Sequence, residues 1–127
     1  MRFNAIYLTV IKKTYDNFAR NNFRINFNSL NSMGEKQLER KFTKVVKAAG
    51  GFPIKLLPFN LNGLPDRIAL LPGGKLIFAE IKSPGKKSTK IQIYLQNKIQ
   101  GLGFKVYVID NQNDILQIIK DYESRMF

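Results

Sequence analysis

The sequence predicts an α/β domain with a mixed central sheet of about four strands flanked by helices, in the order α-β-β-β-α-β-α. Three observations carry this. Residues 65–82, PDRIALLPGGKLIFAEIK, read as two apolar strands joined by a tight turn at Leu71-Pro72-Gly73-Gly74-Lys75. Leu38, Phe42, Val45, Val46 and Ala49 recur at helical spacing before them. A second helical stretch then leads into the β-branched run FKVYVID, residues 104–110. A strand entered through such a crossover helix is expected to lie parallel to its neighbour.

The hairpin fixes where the chemistry could be. If Leu71 pairs with Lys75, counting back along both strands brings Asp66 opposite Glu80. Glu80 and Lys82 are two apart and point to one face. Two carboxylates and an ammonium therefore converge at one end of the hairpin, and a one-residue slip would undo this. Two acids so close repel unless a divalent cation lies between them. The structural alternative is a Glu80–Lys82 or Asp66–Lys82 ion pair, since such networks imitate active sites. Strand 75–82 is apolar on both faces in its middle, with Leu76, Phe78, Glu80 and Lys82 on one face and Ile77, Ala79 and Ile81 on the other. This marks it as central, where a charge such as Glu80 needs a partner.

The remaining elements follow in order. The first helix spans 34–51 and ends at Gly50-Gly51. Glu35 and Glu39 share one of its faces and could equally be solvated partners of Lys36, Arg40 and Lys44. Residues 53–59, PIKLLPF, form the first strand, at an edge because of Pro53 and Pro58. A turn at Asn62-Gly63 delivers Pro65-Asp66. Residues 83–90, SPGKKSTK, form a polar loop carrying Lys86, Lys87 and Lys90, either a phosphate contact or a solvated loop. The helix that follows runs from Ser88 or Thr89 to about Leu102, with Ile91, Leu95, Ile99 and Leu102 as its buried stripe and Gln92 beside it. Gly101 and Gly103 end it. Ile115, Leu116, Ile118, Ile119 and Tyr122 give a last amphipathic helix on the sheet.

Composition narrows the function. The chain has 127 residues, no cysteine and no histidine. Thiolate zinc sites, disulfides, cysteine or serine–histidine nucleophiles and a histidine general base are excluded. Carboxylates, lysines and hydroxyls remain, and oxygen ligands favour Mg²⁺ or Mn²⁺. A net charge of +12, from 21 basic and 9 acidic residues, points to a polyanionic partner, nucleic acid before an anionic membrane surface. No apolar run approaches the ~20 residues of a membrane span.

Residues 1–33 differ from the rest: basic, rich in Asn and Phe, with Asp16 as their one acid. Ala5 to Ile11 is apolar enough for a strand or short helix, and Asn26 to Ser32 reads as a linker. The segment is an arm that touches nucleic acid, a targeting segment, or sequence upstream of a start at Met33. The third is favoured because Met33-Gly34 sits directly before the stretch that resembles a known family, leaving 34–127 as the folded domain.

Pro65-Asp66, thirteen residues, then Glu80-Ile81-Lys82 resembles the PD-(D/E)XK nuclease motif. The longer run GLPDRIALLPGGKLIFAEIKSPGKK, with Gln92 in a following helix and Gly103-Phe104-Lys105-Val106 after it, is similar to the VRR-NUC branch in its small stand-alone form. The resemblance covers roughly 34–110. It implies a restriction-endonuclease-like core and a metal-dependent deoxyribonuclease selective for branched, flap or junction DNA, in a bacterial or phage-infected cytoplasm. It implies Asp66, Glu80 and the Ile81 carbonyl as metal ligands. Lys82 acts on the water or the phosphate, and Glu39 (Glu35 failing that) holds the metal or its water. Gln92 positions water or phosphate. The competing account of Gln92 is a capping box with Thr89, and one rotamer is not expected to serve both. Relatives of this kind often assemble, so a homodimer is a further expectation. The alternatives are a non-catalytic nucleic-acid binder that kept the fold, and a structural protein with a fortuitous ion-pair hairpin.

Overall fold

The computed structural model describes residues 33–57 and 61–124, together with Lys12, Lys13 and Asp16. In chain order the elements are α1 (Glu35–Ala48), β1 (Phe52–Lys55), β2 (Arg67–Leu71), β3 (Lys75–Ile81), α2 (Lys90–Gly101), β4 (Lys105–Ile109) and α3 (Gln112–Glu123). The strands form one sheet in the order β1-β2-β3-β4. β1–β2 and β2–β3 are antiparallel and β3–β4 is parallel, as a crossover through α2 requires. This is the mixed, four-stranded, helix-flanked α/β fold expected from the sequence, with β1 at an edge and β3 central. Pro58, Phe59 and the predicted elements at 5–11 and 26–32 lie outside the described residues.

The β2–β3 register is the one the turn demands. Leu71 pairs with Lys75, Ile68 with Phe78 and Arg67 with Ala79. Gly73 and Gly74 make this possible, both having left-handed φ, 87° and 72°. Tyr122 of α3 donates a hydrogen bond to the Pro72 carbonyl at 2.8 Å, tying the turn to the last helix.

Alternation along the strands sorts the sheet into two unequal faces. Ala69, Leu71, Ile77, Ala79, Ile81 and Ile109 are buried on one face against Leu38, Phe42, Val45 and Val46 of α1 and Ile115, Ile118, Ile119 and Tyr122 of α3. This is the core, and the predicted stripe of the first helix lies wholly within it. Met33 packs against its margin. Burial and Asp16 push the Glu123 carboxyl up while Lys12 opposes this, which sets those two positions near the end of α3.

The other face carries α2 and is thinly covered. The predicted buried stripe of α2 is corrected here: Leu95 is buried, but Ile91 and Leu102 are exposed, Leu102 at 72%. One helix cannot cover a four-stranded face. α2 meets it through Leu95 and a polar end, Gln92 and Gln96. Ile93, Tyr94, Phe104 and Val108 are exposed as well, although Phe104 sets its ring edge-on to Phe78 at 6.0 Å.

Candidate active site

The site lies where β2 begins and β3 ends. Asp66 immediately precedes β2, and its carbonyl accepts from the Leu56 amide at 2.8 Å, just past β1. Its backbone N–H donates to Glu80 Oε2 at 3.1 Å, and its Oδ1 accepts from the Ile81 N–H at 3.2 Å. The two carboxylates are thus brought together by reciprocal bonds between neighbouring strand ends. Glu80 is 7% exposed, as a member of a central strand must be. Burial is the main cause that pushes both carboxyls up. Asp66 adds to this at Glu80, while Lys82 opposes it; Arg67 opposes it at Asp66. Two acids are thus held close and partly out of water, each disfavoured as an anion and each with a cation beside it, Arg67 at Asp66 and Lys82 at Glu80.

Lys82 extends one residue beyond β3, its amide still bonded to the Ile109 carbonyl at 2.8 Å. Its Nζ lies 3.4 Å from Glu80 Oε1 and donates to Gln92 Oε1 at 2.7 Å. The Glu80–Lys82 ion pair weighed as a structural alternative therefore forms, within the same cluster as the second acid.

Gln92 corrects an expectation. One rotamer both completes the capping box and reaches Lys82 and Glu80, two arrangements that were set against each other. Its Oε1 accepts from the Thr89 backbone N–H at 2.9 Å as well as from Lys82, while its Nε2 donates to Glu80 Oε1 at 3.0 Å. The Gln92 N–H donates to Thr89 Oγ1 at 3.3 Å, completing the capping box. An amide oxygen has two lone pairs, enough for both donors. Helix capping and site geometry are coupled through one side chain.

Glu39 reaches the site indirectly. Its Oε1 is 2.8 Å from Arg67 Nη2, and Arg67 Nη1 is 3.6 Å from Asp66 Oδ2 and donates to the Asp66 carbonyl at 3.2 Å. Among the described residues, no cluster of three metal-ligand side chains forms. Glu35 accepts from Ser83 Oγ at 2.9 Å, joining α1 to the loop that leaves β3. Lys86, Lys87 and Lys90 are exposed, the first two in that loop and Lys90 at the first position of α2.

Two residues went unread in the sequence. Arg67, 6% exposed, alternates onto the α1 face of β2, where a strand pattern anticipates an apolar side chain. Its place directly after Asp66 and across the sheet from Lys55 was the available signal. Gln96, also buried, donates to Ser88 Oγ at 3.1 Å and pins the end of the lysine loop to α2. It sits one helical turn after Gln92, which was the clue.

The comparisons agree with this geometry. No family model matches the chain. A relative named "Putative nuclease p44", from Acyrthosiphon pisum secondary endosymbiont phage 1, is 37% identical over 79 residues, which are 62% of this chain and 85% of the relative. A solved structure titled "VRR_NUC domain" superposes with a TM-score of 0.65 at 25% identity, over 69% of this chain and 96% of that one. With its fold and its relatives in agreement, the chain belongs to the VRR-NUC family of nuclease domains.

Proposed function

We propose that the protein is a deoxyribonuclease that depends on Mg²⁺ or Mn²⁺ and acts on branched, flap or junction DNA. The observation that carries this is the partly buried pair Asp66–Glu80, joined through backbone amides and flanked by Lys82. The donor set suits a hard divalent ion: oxygen ligands, with burial disfavouring the carboxylate charges in its absence. Asp66, Glu80 and the Ile81 carbonyl would hold it. Such an ion acidifies bound water and acts as a Lewis acid toward phosphate.

The chain's own residues supply the rest. Lys82 is held by Glu80 and Gln92 as a donor, which suits it to stabilise charge developing on phosphate oxygens. Gln92 fixes the Lys82 ammonium and one Glu80 oxygen relative to each other. Glu39 acts on Asp66 across Arg67, and in a loaded site would hold a second ion or a bound water. Lys86, Lys87 and Lys90 would contact backbone phosphates.

Two copies cutting a symmetric junction would need an interface. The exposed apolar side chains Ile93 and Tyr94 of α2, Leu102 and Phe104 of the connection after it, and Val108 of β4 support one. With DNA as substrate and a phage protein as relative, the enzyme would work in the cytoplasm of a bacterial or phage-infected cell.

The test is a panel of labelled DNAs, comprising single strand, duplex, flap, splayed arm and four-way junction, incubated with Mg²⁺, Mn²⁺ or EDTA. Cleavage of the branched forms with metal and none in EDTA is expected. Folded protein that binds junctions in EDTA yet cuts none of the panel with either metal would replace this reading with a non-catalytic binder.

A further inference from the structure

A groove of about 650 Å³ runs between α1 and the edge strand β1, on the far side of Arg67 from the lysine loop. Arg40, Lys44 and Lys47 line one wall. They fall at positions i, i+4 and i+7 of α1 and so share a face. Lys55 and Phe52 line the other wall, at the two ends of β1. The inner end is closed by Glu39 and Arg67, which touch each other and, through Arg67, Asp66. Lys55 is the register partner of Arg67, so that end of β1 meets the site.

The charge of this groove has no internal explanation. The one acid lining it, Glu39, is taken by Arg67. Among the described residues, Arg40, Lys44, Lys47 and Lys55 form no ion pair. A cation at the end of a helix suits the dipole and accounts for Lys47 alone. It does not account for a row of three with a fourth cation across the groove.

Phe52 is the second feature. It stands 62% exposed at the outer mouth, on an edge strand and beside Lys47's end of α1. A lone exposed aromatic is ordinary. One placed at the end of a cationic groove has the makeup of a single-strand site, in which cations follow the backbone and a ring stacks a base. Arg40 to Lys47 covers about 10 Å along the helix at 1.5 Å per residue, and Phe52 to Lys55 about 10 Å along the strand, a length for two or three nucleotides.

We infer that the α1–β1 groove is a binding channel for a single-stranded nucleic-acid arm, which leaves the Asp66–Glu80 site past Arg67 and ends with a base stacked on Phe52. The direction of the arm rests on the proposed cleavage site. Binding itself does not, so binding in EDTA separates a failure of the channel from a failure of the nuclease reading.

The experiment measures anisotropy of a labelled single strand and of a blunt duplex of equal length, in EDTA, across a salt series. It compares the wild type with Lys44→Ala/Lys47→Ala, with Phe52→Ala, and with Lys98→Ala/Lys120→Ala as a charge-matched control from exposed faces of α2 and α3. All changed residues are exposed, and thermal unfolding checks each variant. For the single strand, the Lys44/Lys47 variant is expected to lower the log–log salt slope by about 1.4 relative to wild type, two contacts at about 0.7 each. Phe52→Ala is expected to weaken single-strand binding roughly tenfold with duplex binding unchanged. A Lys44/Lys47 slope equal to that of the control overturns the channel. Equal losses on both DNAs with no effect of Phe52→Ala overturn its assignment to a single strand.

Discussion

Glu80 is a single residue that is unfavourable for the fold and that the proposed reaction requires. Burial raises its carboxyl and Asp66 raises it further, against the opposing pull of Lys82. An acid raised in the folded state binds its proton more tightly there than in the unfolded chain. Its unfavourable effect is absent below the unfolded pKa, grows as pH rises from there through the folded pKa, and is complete above it. Glu80→Gln keeps the shape and removes the charge. In EDTA its melting temperature is expected to rise relative to wild type as pH goes from 4 to 8, and with Mg²⁺ its cleavage is expected to be lost. An advantage that stays constant across this range would contradict the assignment of a raised carboxyl. Gln92 gives a second test at this scale. Thr89→Ala removes a cap worth about 1 kcal/mol and leaves the Gln92 amide on Lys82. Gln92→Ala keeps that cap, which uses the residue 92 backbone N–H, but removes the amide from the Thr89 N–H, Lys82 and Glu80, and is expected to lower the cleavage rate about 10–100-fold, the usual cost of losing a group that orients an active-site side chain. Equal rates for the two variants would confine Gln92 to capping.

Among the elements, the hairpin was the most legible in the sequence. Its turn admits one register, and that register brings Asp66 to Glu80. The first helix was equally clear, because a buried stripe against a sheet leaves little freedom. What was not legible depended on neighbours that periodicity does not show. Ile91 and Leu102 follow a helical period yet lie exposed, since the pattern says which residues share a face and not whether anything covers it. Arg67 is buried at an apolar position because Glu39, from another element, comes to meet it. The Asn62-Gly63 turn was readable as a turn but not as a contact. Gly63 has φ 85°, and a Cβ there would come within 2.9 Å of the Ile91 backbone. The loop that delivers Asp66 is thus seated on the first turn of the helix that carries Gln92. Gly63→Ala is expected to destabilise the fold by about 1–3 kcal/mol, from left-handed strain and displaced backbone. Its cleavage rate, measured well below its melting temperature, should fall as well. Full activity in a destabilised variant would separate this packing from the site.

For the molecule as a whole, the two faces of the sheet differ in purpose. The face under α1 and α3 holds the core. The face under α2 carries Glu80 and Gln92 and leaves apolar side chains in solvent, Tyr94 at 63% and Leu102 at 72%. If two copies associate through that surface, Tyr94→Lys/Leu102→Lys should shift the mass measured by sedimentation from dimer to monomer without lowering the melting temperature of the monomer. A wild type that stays monomeric at tens of micromolar would remove the interface.

The proposed chemistry turns on a divalent ion held by Asp66 and Glu80. Titration of Mn²⁺ into the protein, with free Mn²⁺ followed by its electron paramagnetic resonance signal, measures this without reference to any DNA. Wild type should take up the ion with a defined stoichiometry, and Asp66→Asn and Glu80→Gln should each lose that uptake while remaining folded. Mn²⁺ uptake unchanged in both variants would contradict the account.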